Sequence, residues 1–113
     1  IALKNKKIEK NDFKLLKELF KNKNFIKFFN PEFSSYNEIE ILSFEGNLYR
    51  LDRVVETENE VYVLDYKTGK INNEDHAKYL KKLELYITLL ESIYDKKIKG
   101  CLVYIDINQI FNA

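Results

Sequence analysis

The spacing of apolar residues changes from helical to alternating and back along the chain. From Asn11 to about Asn24, Phe13, Leu16, Leu19 and Phe20 recur at helical spacing, with Asn11 or Asp12 placed to cap. A helix is expected there, broken by Asn30-Pro31, with the Ser34-Ser35 pair continuing the loop. From Tyr36 to Phe44, Glu38 and Glu40 alternate with Ile39 and Ile41, the period of two that a half-buried strand needs. Glu45-Gly46-Asn47 supplies turn chemistry, so a second strand follows from about Leu48 to Glu56. Thr57-Glu58-Asn59-Glu60 is a polar turn before Val61 to Tyr66, a run rich in β-branched and aromatic residues. After Thr68-Gly69 the helical period returns through Tyr79, Leu80, Leu83, Tyr86, Ile87, Leu90 and Tyr94, with Asn72 or Asn73 available as its cap. Ile98 to Ile105 reads as a fully buried strand, and a helix crossing over to reach it places it parallel beside the third strand.

The expected order is therefore α-β-β-β-α-β. It describes an α/β fold whose mixed sheet of about four strands, a three-strand antiparallel meander plus one parallel strand, is flanked by helices. A chain of 113 residues with 45% hydrophobic residues suits one domain over residues 1–113. No apolar run approaches the roughly 20 residues of a membrane span. Cys101 is the only cysteine and lies in the apolar run Cys101 to Ile105, which excludes an internal disulfide and suits a buried thiol in a reducing, cytoplasmic compartment. The chain starts at Ile1, holds no methionine and shows no secretory leader, so it is expected to be a piece of a longer protein.

A net charge of +1 hides an uneven distribution. Residues 1–30 are lysine-rich, residues 31–66 are strongly acidic, and the remainder is mildly basic. Two accounts fit this pattern. One is a solvated helix face; the other is a basic flank beside an acidic metal site, which would attract a phosphate backbone.

Candidate chemistry lies in the acidic stretch. An acid-x-Lys triplet carries little information alone, because in a chain this rich in acids and lysines chance gives about three. Three occur: Asp12 to Lys14, Asp65 to Lys67 and Asp95 to Lys97. Only Asp65 to Lys67 ends a predicted strand, where period two turns both side chains to one side of the sheet. The preceding strand offers Asp52, and across a short hairpin Asp52 and Asp65 can converge on a hard divalent cation, which takes oxygen ligands and often only one or two carboxylates. Lys67 on the same face can then hold a water or a phosphate oxygen. The plainer account is that Asp52 pairs with Arg50 or Arg53, that Asp65 and Lys67 form an edge ion pair, and that Thr68-Gly69 is only a turn.

Gly46 to Val54 with its Leu51-Asp52-Arg53-Val54, then Val63-Leu64-Asp65-Tyr66-Lys67-Thr68-Gly69, then Tyr79 to Tyr86 and Val103-Tyr104, resembles the RecB/AddA-type nuclease domain. That domain is the C-terminal module of bacterial helicase-nucleases, with a restriction-endonuclease-like core, in the PD-(D/E)xK superfamily. The resemblance covers roughly residues 38–106. It implies a Mg²⁺- or Mn²⁺-dependent DNA nuclease, expected to act as an exonuclease in double-strand-break repair and recombination. Its partners would be DNA, the helicase portion of the same chain and a partner subunit, with no membrane. By this likeness Asp52 and Asp65 are metal ligands, the Tyr66 carbonyl completes the protein shell and Lys67 is the catalytic lysine. Glu38 or Glu40 matches the family's first-strand acid. Lys82 and Tyr86 stand where the family has Gln-x-x-x-Tyr, positions expected to face DNA. Lys82 departs from that pattern, and the family's upstream metal-binding histidine has no counterpart before Asp52; His76 follows Lys67 and reads as a solvated or capping residue. These departures keep two rivals in view: an inactive nuclease fold serving DNA binding or scaffolding, and a protein-interaction domain that uses a sheet edge. The helix tyrosines Tyr79, Tyr86 and Tyr94 are expected in the core.

Overall fold

The computed structural model describes Lys14 and residues 17–113. Of the first expected helix, Asn11, Asp12, Phe13 and Leu16 lie outside the described residues. Residues 17–20 are helical, and the helix stops short of Asn24. The reason is local: the Asn22 side chain accepts from the Asn24 amide and caps a new short helix, α1 (Lys23–Ile26), which runs into a 3-10 turn at Lys27–Phe29.

The sheet comprises β1 (Ser34–Leu42), β2 (Leu48–Glu56), β3 (Glu60–Lys67), β4 (Lys97–Tyr104) and β5 (Gln109–Asn112), side by side in that order. β1, β2 and β3 form an antiparallel meander, β4 runs parallel to β3, and β5 returns antiparallel along β4. The mixed α/β architecture is the expected one, with a correction: the sheet has five strands, not about four. β5 presents only Ile110 and Phe111 as apolar residues, too short a run for periodicity to register.

The crossover from β3 to β4 is α2 (Asn73–Glu91), capped by the Asn72 side chain, which accepts from the amides of Glu74 and Asp75. Tyr94 lies beyond the helix end, although it packs against the same core. Leu83, Tyr86 and Leu90 of α2 pack on Leu51, Val54, Val61, Val63, Leu102 and Tyr104. Gly100 makes this approach close: a Cβ there would lie 2.8 Å from Leu83 Cγ. The opposite sheet face, with Val55, Leu64, Cys101 and Val103, is covered by Leu19, Phe25 and Phe28. Cys101 is buried as expected, and burial pushes its thiol up to about 11. Among the described residues, no helix is long and apolar enough to cross a membrane.

One irregularity shapes everything that follows. In β2, Tyr49 and Leu51 pack on the α2 face, yet so does Val54, while Val55 packs on the other. The alternation therefore slips between Leu51 and Val54. In β1, Asn37 holds Arg53 while Ile39 belongs to the α2-side core, so the slip is mirrored across the pair. Glu38 sits at this point with φ +53°, a left-handed conformation uncommon for a side-chain-bearing residue in a strand. Paired Cα positions run Asn37 with Arg53 and Ile39 with Leu51, which sets Glu38 across from Asp52.

Candidate metal and nucleic-acid site

The antiparallel ladder between β2 and β3 begins at Glu56 and Val61 and ends at Arg53 and Leu64. Continued one step further it would set Asp52 directly opposite Asp65. Instead the strands part, and Asp52 Oδ2 accepts a 2.8 Å hydrogen bond from the amide of Tyr66. β3 meanwhile stays paired with β4 as far as Lys67 and Tyr104. A carboxylate pair thus lies in the mouth of the parting strands.

Asp65 is 7% exposed. Burial, and next the neighbouring Asp52 carboxylate, push its carboxyl up to about 6 despite the opposing charge of Lys67. Lys67 Nζ lies 3.1 Å from Asp65 Oδ2 and 4.2 Å from the centre of the Tyr79 ring, so the ammonium is held between a carboxylate and a π face. The contact with Asp65 is one of charge: Asp65 Oδ2 is buried and has no aligned hydrogen-bond donor. Tyr86 packs edge-on to Tyr49, and its hydroxyl is pushed up to about 12, by burial first and then by Asp65 and Asp52.

The plainer account of these residues is met only in part. Asp65 and Lys67 do form an ion pair, but Asp52 is engaged by the Tyr66 amide rather than by an arginine. Arg50 pairs with Glu38 at 2.8 Å. Arg53 turns to the opposite face, donating to Asn37 Oδ1 at 2.7 Å and to the Phe28 carbonyl at 3.0 Å, with its guanidinium 4.1 Å from the Phe29 ring centre. Glu40 is exposed at the position paired with Arg50. Lys82 is exposed on α2, one turn before the buried Tyr86. The Tyr66 ring points away from the carboxylates into the phenylalanine-rich core, so only its peptide borders the site.

Residues given no role at the carboxylates by the sequence also shape the site. Tyr79, expected in the core by default, packs there and also underlies the lysine. His76, in the first turn of α2, shares a 2.8 Å hydrogen bond between its Nδ1 and the Tyr104 hydroxyl and packs on Phe111. Asp106, after β4, accepts from the Gly69 amide at 2.6 Å and ties down the loop that follows Lys67. Gly69 has φ +86°, which suits glycine.

A family model of the PD-(D/E)XK nuclease superfamily matches residues 10–112, nearly the whole chain. The chain belongs to the PD-(D/E)XK nuclease superfamily. Comparison with curated proteins finds no match. Members of this superfamily typically use divalent metals, and the donor set fits one. Two adjoining carboxylates, one with a buried oxygen that lacks an aligned donor, match the oxygen preference of Mg²⁺ or Mn²⁺. Among the described residues no cluster of three or more His, Cys, Asp or Glu side chains gathers. Further oxygen donors would have to come from the backbone, water or substrate, the usual situation for Mg²⁺ at phosphate-processing sites.

Proposed function

We propose that this nuclease-type domain hydrolyses DNA phosphodiester bonds with Mg²⁺ or Mn²⁺, as the exonuclease module of a helicase-nuclease acting in double-strand-break repair. The observation that carries the proposal is the meeting of Asp52, Asp65 and Lys67 where β2 and β3 part. The RecB/AddA-like motif order supports the helicase context, a partner subunit and a cytoplasmic location.

In this reading Asp52 and Asp65 hold the cation, with the Tyr66 carbonyl beside them. A bound cation supplies positive charge to the phosphate and acidifies water at the site. Asp65 would hold a cation in its ionised form, so its raised pKa would make cation binding weaken as pH falls below about 6. Lys67, braced by Asp65 and Tyr79, presents its ammonium to a phosphate oxygen or the attacking water. Of the two first-strand acids, Glu38 is favoured over Glu40: its register places it across from Asp52, and its left-handed backbone is strain of the kind that collects at functional sites. Lys82 meets a phosphate as a point charge. Tyr86 acts from beneath, by packing against Tyr49 and bordering the carboxylates.

The test uses the intact parent protein with radiolabelled linear DNA and Mg²⁺. Lys67→Ala is expected to lower cleavage about 10²-fold or more, the scale of a lost proton-handling group, while Mn²⁺ binding by calorimetry persists. Unchanged cleavage rules the assignment out. Mn²⁺ binding without cleavage by the wild type would favour the inactive-scaffold reading instead.

A further inference from the structure

The stretch of chain that leaves Lys67 lies open to solvent. Every residue from Thr68 to Asp75 is exposed, and His76 is the first to turn back toward the sheet. Among the described residues, two hydrogen bonds tie this stretch to β4 and the turn after it. Asp106 accepts from the Gly69 amide at 2.6 Å, and His76 Nδ1 shares its 2.8 Å hydrogen bond with the Tyr104 hydroxyl. Further along α2, Tyr79 and Leu80 are only half-buried, and Leu83 is the first helix residue to be buried outright. The histidine is therefore the anchor of the first turn. Tyr104 is 1% exposed, so losing His76 would strand a buried hydroxyl.

What that first turn covers is the catalytic end of β3. Lys67 and Tyr104 are register partners in the parallel pair, and the Ile105 amide donates to the Lys67 carbonyl at 2.9 Å. Both side chains stand on the α2 face: the Lys67 ammonium lies 4.2 Å from the centre of the Tyr79 ring, and Tyr104 belongs to the α2-side core. His76 and Tyr79 are three residues apart, which puts them one above the other on the same face of the helix. One turn of α2 thus lays His76 on Tyr104 and Tyr79 on Lys67, side by side. The imidazole is also packed, its centre 5.7 Å from the Tyr104 ring and 4.9 Å from Phe111 of β5. Burial first, then Tyr79, Asp75 and Asp65, raise the pKa of the Tyr104 hydroxyl, which keeps it an O–H and sets it within electrostatic reach of the site.

Lys67 has a second hold, the Asp65 carboxylate. Asp65 is also a proposed cation ligand, so that hold weakens once the site is loaded, and the Tyr79 ring is left to aim a long, freely rotating side chain. We propose that His76 is a positioning residue for the reaction: through its hydrogen bond to Tyr104 it pins the first turn of α2 and so fixes Tyr79 over the Lys67 ammonium. The inference rests on the nuclease reading and deepens it. Apolar rings at both 76 and 104 would fill the same space at little cost, because removing both partners of a hydrogen bond is close to neutral for stability. What the polar pair adds is a fixed direction.

The test uses the intact parent protein with lysine labelled with carbon-13 at Cε. The Lys67 signal, identified by its loss in Lys67→Ala, should show ε-methylene protons shifted upfield by the Tyr79 ring, and His76→Phe should return them to the values of exposed lysines. In cleavage of linear DNA with Mg²⁺, His76→Phe and Tyr104→Phe are each expected to lower kcat about tenfold, the scale of one hydrogen bond. KM and calorimetric Mn²⁺ affinity should stay within twofold. Asparagine carries a polar atom where the imidazole has Nδ1, so His76→Asn should recover most of the rate and the upfield shift. Combining His76→Phe with Tyr104→Phe should cost no more rate than either alone and should melt close to the wild type. On a Tyr79→Leu background His76→Phe should change nothing further. If the wild type cleaves DNA and His76→Phe leaves both the Lys67 signal and kcat as they were, the positioning role is refuted and the nuclease reading stands. Should His76→Phe lose rate only in step with its melting temperature, with the Lys67 signal unmoved, His76 is structural and the proposal falls. A full-length wild type that cleaves no nucleic acid overturns both readings.

Discussion

Replacing Asp65 with asparagine is expected to make the metal-free protein more stable while abolishing its chemistry. Asp65 is nearly buried beside a second carboxylate, and the balance of burial, Asp52 and Lys67 lifts its pKa from 3.8 to about 6. A raised carboxyl pKa means that the folded state binds the proton more tightly than the unfolded chain. Between pH 3.8 and about 6 the folded state therefore carries more protons, and stability falls as pH rises. Below that window the cost is absent, and above it the cost is complete. At about 1.4 kcal/mol per tenfold change in proton affinity, the full cost is on the order of 3 kcal/mol. Asparagine mimics the neutral form and can donate to Asp52, but it gives up the attraction to Lys67, so a net gain of about 2 kcal/mol is the working expectation. For a chain of this size that is a rise of roughly 10 °C in melting temperature.

Thermal melts by circular dichroism at pH 7.5 in EDTA measure the difference, and a second series at pH 4 should show it shrink toward zero. Mg²⁺ should then reverse the order, raising the melting temperature of the wild type and leaving Asp65→Asn unmoved, because ligand binding to the folded state alone adds stability. An Asp65→Asn protein that melts below the wild type at pH 7.5 without metal refutes the reasoning. It would mean that the carboxylate is already satisfied by the fold and is not held ready for a cation.

Two further substitutions separate the scaffold from the chemistry. Arg53→Lys loses the forked contacts to Asn37 and the Phe28 carbonyl and the stack on Phe29; it should cost about 2 kcal/mol in urea unfolding, with Mn²⁺ affinity retained if the protein is folded. Gly100→Ala drives a methyl to within 2.8 Å of Leu83 Cγ and 2.9 Å of Ile87 Cδ1, so it should destabilise by about 1–3 kcal/mol and leave the pH dependence of metal binding unchanged.

The fold was legible wherever burial imposes a period. β2 matches the expected Leu48 to Glu56, and Asn72 caps α2 as its place before the helical pattern suggested. β3 extends a residue beyond the expected run at each end, and β4 starts and ends a residue early. β1 starts and ends two residues early and so takes in the Ser34-Ser35 pair expected in the loop. The parallel crossover follows from the intervening helix. What escaped notice lacked that signal. β5 is too short to show alternation, and Tyr94 continues the helical spacing although the chain has left the helix, because the same core selects apolar residues on both. The break at Asn22 depends on a side-chain cap competing with helix continuation, which an apolar pattern running through Phe20 does not reveal.

The site follows a different logic, because what makes it is a departure from regularity. Asp52, Asp65 and Lys67 could be picked out by strand context, but the slip of β1 and β2 could not, since a glutamate at position 38 gives no sign of a positive φ. The break between β2 and β3 has a physical reason. In an unbroken ladder Asp52 and Asp65 would face each other as a cross-strand pair of like charges, which is destabilising. Parting the strands lets Asp52 take the Tyr66 amide and leaves Asp65 Oδ2 buried without an aligned donor. The same parting frees the edge of β2 from Leu48 to Asp52, so the arm formed by β1 and β2 projects alone past the carboxylates. One break in the β2–β3 ladder thus accounts for the Asp52 contact with the Tyr66 amide and for the exposed arm. Restoring the ladder would be expected to remove both together and to set the two carboxylates directly opposite each other.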